Sequence, residues 1–212
     1  MFYFLAYPLI FAVLRLLMRV LGRLHSSGEA NVPAHGGVLY CPNHLSDADP
    51  VAIFVTVPRR AWFVGKSELF AIPLLGWFFA HFQGFPIKRD SADRAALRRI
   101  EMLLKAGQTV VLFPEGRLSE TGHLGRIQPG AALLSLRAGV PIVPVGLQNT
   151  NGVLPYGKLW PRFSPRSVQV TFGPPIFPKD YAEMPRSEAI AAITQRLGTE
   201  LARLTGQPAT ET

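Results

Sequence analysis

The sequence predicts an α/β fold: a single domain with a central, mostly β sheet flanked by helices, preceded by an N-terminal amphipathic helical segment suited to a membrane interface. Three observations predict it. Short apolar runs rich in β-branched residues alternate with stretches of helical periodicity. The helical stretches carry their own start and stop residues. No repeat, low-complexity tract or linker divides the 212 residues, an ordinary length for one domain. The division is therefore a helical membrane-anchoring segment, residues 1–28, and one domain over 29–212.

The N-terminal segment carries no acidic residue up to Gly28. Residues 1–14 are apolar apart from Pro8, and positive charge then begins with Arg15, Arg19 and Arg23. A spanning helix needs roughly 20 predominantly apolar residues, so this run is short. A secretory signal would place its charge before the apolar run, the reverse of the order here. Arginines spaced by four share a helical face, with Leu14, Leu17, Met18, Leu21 and Leu24 supplying apolar surface beside them. That is the pattern of a helix lying in the interface with arginines toward lipid phosphates. A core-packing helix with a solvated basic edge is the structural alternative, and an uncleaved single anchor lengthened by snorkelling arginines is another.

Further along, β-rich runs recur at 37–41, 84–88, 109–113, 141–147 and 167–172. Between them, 72–82 is apolar and aromatic. Residues 91–106 are amphipathic, with Leu97, Ile100, Met102, Leu103 and Leu104 set against Arg94, Arg98, Arg99 and Lys105. That helix starts after Asp90 and Ser91, good N-caps, and stops at Gly107, a good residue to follow a helix. Shorter helices are predicted over 129–138, ending before Gly139, and over 187–204.

Composition narrows the function. Lysine and arginine number 22 against 14 acidic residues, while charged residues make up only 17% of the chain. A basic, charge-poor, apolar chain suits a membrane surface or phosphorylated ligands. The long basic, aromatic-interleaved stripe of a nucleic-acid groove is absent, so no nucleic acid is expected as a partner. Cys41 is the only cysteine, which excludes an intrachain disulfide, a thiolate-only zinc site and a Cys-x-x-Cys pair. One free thiol suits a reducing compartment.

The densest polar cluster, Asn43-His44-Leu45-Ser46-Asp47-Ala48-Asp49-Pro50, directly follows the apolar run ending at Cys41. The loop leaving the carboxyl end of a strand is where catalytic groups gather. His44 suits removal of a proton from a hydroxyl, and a nearby carboxylate would hold its imidazole. Asp49 lies about 140° from His44 around a regular helix, so pairing the two needs a turn. Pro50 favours the first helical position, which makes Asp49 a natural N-cap worth about 1 kcal/mol; Asp47 is a rival partner for His44. A second strand end opens into Phe113-Pro114-Glu115-Gly116-Arg117-Leu118-Ser119, where Gly116 permits close ligand approach and Arg117 offers a planar fork for phosphate. A tight turn with a solvated arginine is the alternative reading there. Arg89 ends a third β-like run and Lys66 sits in Gly65-Lys66-Ser67. The first glycine a P-loop would need falls at Arg60, so that reading fails.

Taken in order, these segments resemble the glycerophospholipid acyltransferase family, of the 1-acylglycerol-3-phosphate acyltransferase type. The His44 to Asp49 spacing, with Asn43, Ser46 and Pro50 as flanks, is similar to its His-x4-Asp motif. Lys66-Ser67-Glu68-Leu69 with Ile72-Pro73 and Gly76-Trp77, then 84–89 ending in Arg89, then 113–119, then 140–145 follow the family's order. Gln128 stands where the family often has lysine, and Lys88 where an acidic or apolar residue is common. The resemblance implies acyl transfer from a thioester, acyl-CoA or acyl carrier protein, to the free hydroxyl of lysophosphatidic acid. His44 would be the general base and Asp49 its partner, with no metal and no cofactor beyond the acyl co-substrate. It further implies acceptor phosphate held by Lys66, Arg89, Glu115, Gly116 and Arg117, with Glu115 acting on Arg117 or the backbone turn. Cys41 is expected buried and inert, and 140–147 is expected to be a core strand or to line the acyl channel. The implied location is peripheral or monotopic, on the cytoplasmic face of the cell membrane. Three alternatives stand beside this: the same chemistry on another lysophospholipid or a lyso-aminolipid, a non-catalytic lipid-binding protein, and a metal-dependent hydrolase using His44, Asp47 and Asp49.

Overall fold

Alternation along one short strand decides the layering. In β2 (Val38–Pro42) every residue is buried, with Val38 and Tyr40 in one apolar cluster and Leu39 and Cys41 in another. A strand apolar on both sides must be covered on both sides. A computed structural model, which describes residues 2–67, 84–87, 94–158 and 160–208, shows that sandwich. Among the described residues one seven-stranded sheet runs in the order β1-β7-β6-β2-β5-β3-β4. Its other strands are β1 (His25–Ser27), β3 (Ala61–Lys66), β4 (Gly84–Ile87), β5 (Thr109–Val111), β6 (Ile142–Gln148) and β7 (Gln169–Phe172). Strands β2 to β6 are mutually parallel; β7 runs antiparallel to β6, and β1 pairs parallel with β7.

Helices α1 (Phe2–Gly22) and α2 (Asp49–Phe54) cover the face of Val38 and Tyr40. Helices α3 (Arg94–Lys105), α4 (Gly130–Ala138) and α6 (Arg186–Thr205) cover the other, through Ile100, Leu104, Leu134, Ile193, Leu197 and Leu201. A single turn of helix, α5 (Thr150–Val153), follows β6. Gly107 and Gly139 close α3 and α4 at positive φ, as expected. Met102, placed on the apolar face of α3 from its pattern, is 64% exposed; Ala96, Ile100 and Leu104 carry that face instead. The predicted helix over 72–82 lies outside the described residues, as do 88–93.

Helix α1 corrects two expectations. Tyr7, Ile10, Phe11, Leu14, Met18 and Leu21 pack on the core, with Tyr7 and Phe11 edge-on to Phe54. Leu14, Met18, Leu21 and Leu24 therefore do not form the surface beside the arginines. The outward apolar stripe is Leu9, Val13, Leu16, Leu17 and Val20, at helical spacing and flanked by exposed Arg15 and Arg19. The boundary at residue 28 does not separate two bodies either, because His25 to Ser27 pair with Gln169 to Thr171 as an edge strand. A three-residue polar strand has no periodicity to read, since the partner strand alone creates it.

Candidate active site

The chain leaves β2 through α2 on one face of the sheet to reach β3. It leaves the neighbouring strand β5 through α4 on the opposite face to reach β6. Loops diverging from adjacent strands open a crevice at the carboxyl edge, the place where α/β sheets bind ligands. The two polar clusters of the sequence, 43–49 and 112–119, are those two loops.

His44 and Asp49 meet there. The turn the pairing requires is closed by the Asp49 N–H donating to the Ser46 carbonyl (3.0 Å). Asp49 Oδ2 then accepts from His44 Nδ1 (2.9 Å) and from the backbone N–H groups of Leu45 (2.6 Å) and Ser46 (2.8 Å). Asp49 is fully buried and His44 is 7% exposed. An ionised carboxylate only accepts hydrogen bonds, so the proton sits on Nδ1 and leaves Nε2 with a free lone pair. Asp49 is not the N-cap that the Pro50 argument suggested. It starts α2 with its side chain turned back on the preceding loop. The hydroxyl of Ser46 instead accepts the Ala48 N–H (3.0 Å) and donates to the Leu154 carbonyl (2.6 Å). The rival, Asp47, is exposed.

Three further side chains fix the loop. Asn43, fully buried, accepts the Leu147 N–H and donates to the Leu147 carbonyl, tying the end of β2 to β6. Phe113 stacks on the His44 imidazole, ring centroids 4.0 Å apart. Glu115 accepts the His44 N–H at 2.7 Å and the Gly125 N–H at 2.6 Å, while Ser119 N–H donates to the His44 carbonyl. This takes Glu115 out of the phosphate ligands and gives it a backbone-holding role, the other part of the expectation. Its buried carboxylate joins the two loops and does not face outward, and burial pushes its pKa up. The Phe-Pro-Glu-Gly pattern was plain along the chain, with no sign that the His44 backbone lay opposite it. Non-local pairing of this kind has no local signature.

The other predicted phosphate ligands divide. Gly116, at φ +73° with open space around it, and Arg117 are exposed at the mouth of the second loop. Among the described residues Arg117 makes no hydrogen bond or ion pair. Lys66 is the last residue of β3, at the same edge of the sheet. Arg89 lies outside the described residues. Cys41 is wholly buried and burial drives its thiol pKa far up, so it supplies no thiolate. Val143, Val145 and Leu147 of β6 are core. Among the described residues no group of three His, Cys, Asp or Glu side chains is arranged to hold a metal ion.

The acyltransferase family model matches residues 23–148, more than half of the chain, including both loops of the site. The chain belongs to the acyltransferase family. The resemblance drawn from the ordered motifs is thereby borne out. A 1-acyl-sn-glycerol-3-phosphate acyltransferase of Bacillus subtilis is 27% identical over 90% of this chain and 92% of its own. Its namesake from Streptococcus pneumoniae is 30% identical over 91% and 70%. The chloroplast enzyme of that name from Arabidopsis thaliana is 32% identical over 64% of this chain, and the match spans 39% of the plant protein. The crystal structure of the 1-acyl-sn-glycerophosphate acyltransferase of Thermotoga maritima superposes with a TM-score of 0.70 at 24% identity, over 88% of this chain and 77% of that one. That likeness shows the fold.

Proposed function

We propose that this acyltransferase moves a fatty acyl group from acyl-CoA or acyl carrier protein to the free hydroxyl of lysophosphatidic acid, giving phosphatidic acid. The observation that carries the reading is the His44–Asp49 pair at the crevice, with Nδ1 committed to the carboxylate and Nε2 left as the base, in a chain whose relatives bear that activity in their names. Nε2 takes the acceptor's hydroxyl proton as its oxygen bonds to the thioester carbonyl carbon. The carbon–sulfur bond then breaks and His44 returns the proton to the departing thiolate. Asp49 stabilises the imidazolium between the two steps. Arg117, exposed beside Gly116, would take the acceptor phosphate, with Lys66 and Arg89 as the further ligands that the ordered motifs imply. The test is thiol release from acyl-CoA and acyl carrier protein across a panel of lysolipid acceptors. Turnover of lysophosphatidic acid is expected. Because Gln128 replaces a cation common in the family, the panel includes lysolipids with larger headgroups and lyso-aminolipids. Turnover of one of those alone would move the assignment to that acceptor. No thiol release with any acceptor, beside retained vesicle binding, would favour a lipid-binding protein.

The same reading places the protein at the cytoplasmic face of the membrane through α1. Among the described residues no helix is long and apolar enough to cross a bilayer, so α1 would lie in the interface. Its stripe of Leu9, Val13, Leu16, Leu17 and Val20 would be in the acyl boundary and Arg15 and Arg19 at phosphate level. Replacing Val13 and Leu16 by glutamate, which disturbs no core contact, is expected to lower vesicle partitioning about tenfold or more. Unchanged sedimentation with vesicles would refute this orientation.

A further inference from the structure

The loop between α5 and β7 leaves the same edge of the sheet as the His44 loop, because β6 and β2 are parallel. Its backbone is fastened at both ends. Ser46 Oγ donates to the Leu154 carbonyl (2.6 Å), the Arg162 N–H to Val153 (2.8 Å), and the Ser164 N–H to Leu21 at the end of α1 (2.8 Å). Arg23 adds a bond to the Pro165 carbonyl (2.7 Å). On this fixed backbone the large side chains point the wrong way for a water-facing loop. Trp160 is 85% exposed, Phe163 71% and Tyr156 52%. Lys158, Arg162 and Arg166 stand exposed among them, and no acidic residue occurs from Pro155 to Gln169. Among the described residues none of these three cations has an ion-pair partner.

We propose that this loop is a second lipid-contacting surface, its aromatic side chains seated at the headgroup level of an anionic bilayer beside the active-site crevice. Tryptophan and tyrosine favour that depth because an apolar ring and a polar edge are both satisfied there. Lysine and arginine between them meet anionic headgroups. The loop is also tied to the C-terminal end of α1 through the Leu21 and Arg23 bonds. Two contacts define a plane where one helix defines only a line, so the crevice edge is held against the surface from which a lysolipid would come. Proline at 155, 161 and 165 limits the loop's freedom before binding, so little order remains to be imposed by the lipid.

This inference rests on the membrane reading of α1, and the experiment separates the two. Wild type and Trp160→Ala/Phe163→Ala are sedimented with vesicles of phosphatidylcholine mixed with phosphatidylglycerol, and with phosphatidylcholine alone. Tryptophan emission is recorded on vesicles containing dibrominated phosphatidylcholine, with Trp160→Phe as control. The double variant should lose about tenfold or more in partitioning onto the anionic vesicles. Quenching should be smaller in Trp160→Phe, which keeps an aromatic ring on the surface, the difference from wild type being the part due to Trp160 beside Trp62 and Trp77. Equal partitioning of wild type and double variant, or no Trp160 quenching on vesicles that do bind protein, would overturn the loop's role and leave that of α1 standing. Failure of wild type to sediment with either vesicle would overturn both. A lipid-free dimer in gel filtration that the double variant abolishes would also overturn it, assigning the surface to a second copy of the chain. Both side chains are outside the core, so unfolding temperatures should coincide; were they not to, Phe163→Ser alone gives the same comparison.

Discussion

Replacing His44 by alanine is expected to lower acyl transfer to lysophosphatidic acid about 10²- to 10⁴-fold while the fold survives. The magnitude follows from the role. Without Nε2 nothing among the described residues of the crevice takes the hydroxyl proton, because Glu115 is committed to two backbone N–H groups and Asp49 is buried behind the imidazole. The fold survives because the main-chain bonds at position 44 do not depend on the side chain. The N–H still reaches Glu115, the carbonyl still accepts from Ser119, and Asp49 Oδ2 keeps its bonds from Leu45 and Ser46. What is lost is the Nδ1 hydrogen bond to Asp49 and the stack on Phe113, while two of the three bonds to the Asp49 carboxylate remain. Initial-rate kinetics beside a thermal melt make the measurement. Wild-type turnover in a folded variant would end the general-base assignment, whereas a variant that melts far below wild type would show that the imidazole is structural.

Which parts of this were readable in advance has a physical pattern. Strands β2, β5 and β6 announced themselves because apolar runs are needed wherever a strand is covered on both faces; β7 did so by alternation, with Val170 and Phe172 buried between half-buried polar residues, and the run expected at 84–88 is β4. β3 did not: its glycine and two aromatics gave no clear alternation, and β1 is a strand only because β7 offers it an edge. The His44 loop was legible as chemistry because its polar residues sit together in sequence. The choice between Asp49 as cap and Asp49 as partner was not, since both readings use the same spacing and differ only in which way the turn folds. Glu115 and Phe113 were visible as residues and invisible as neighbours of His44, 71 positions away in the case of Glu115. The N-terminal helix shows the same division. Its amphipathy was plain, but with apolar residues on nearly every side the sequence could not say which of them the core would take.

Asp49→Asn should separate charge from scaffold. Asp49 Oδ2 accepts three hydrogen bonds, and among the described residues the buried Oδ1 has no partner. An asparagine at this position has one arrangement without conflict. Its carbonyl oxygen takes the Oδ2 place, facing three donors, and its amide takes the place where nothing was bonded. The two backbone donors of Leu45 and Ser46 thus prevent the amide from turning to face His44 Nδ1, so the imidazole keeps its tautomer. Stability should stay close to wild type, whereas Asp49→Ala, which strands buried donors, should lose about 1–3 kcal/mol or more. What the asparagine cannot do is balance the imidazolium that the proposed transfer would form. A unit charge at hydrogen-bond distance in a partly buried site contributes about 4 kcal/mol, of which the dipole of the amide carbonyl retains about a third. A fall of about 10²-fold in kcat, with KM for the lysolipid little changed, is therefore expected. Because Asp49 would act only through His44, the variant carrying both His44→Ala and Asp49→Asn should be no slower than His44→Ala alone. Additive losses would mean that Asp49 serves the reaction by some other route, and a collapse of stability in Asp49→Asn would mean that its charge belongs to the fold.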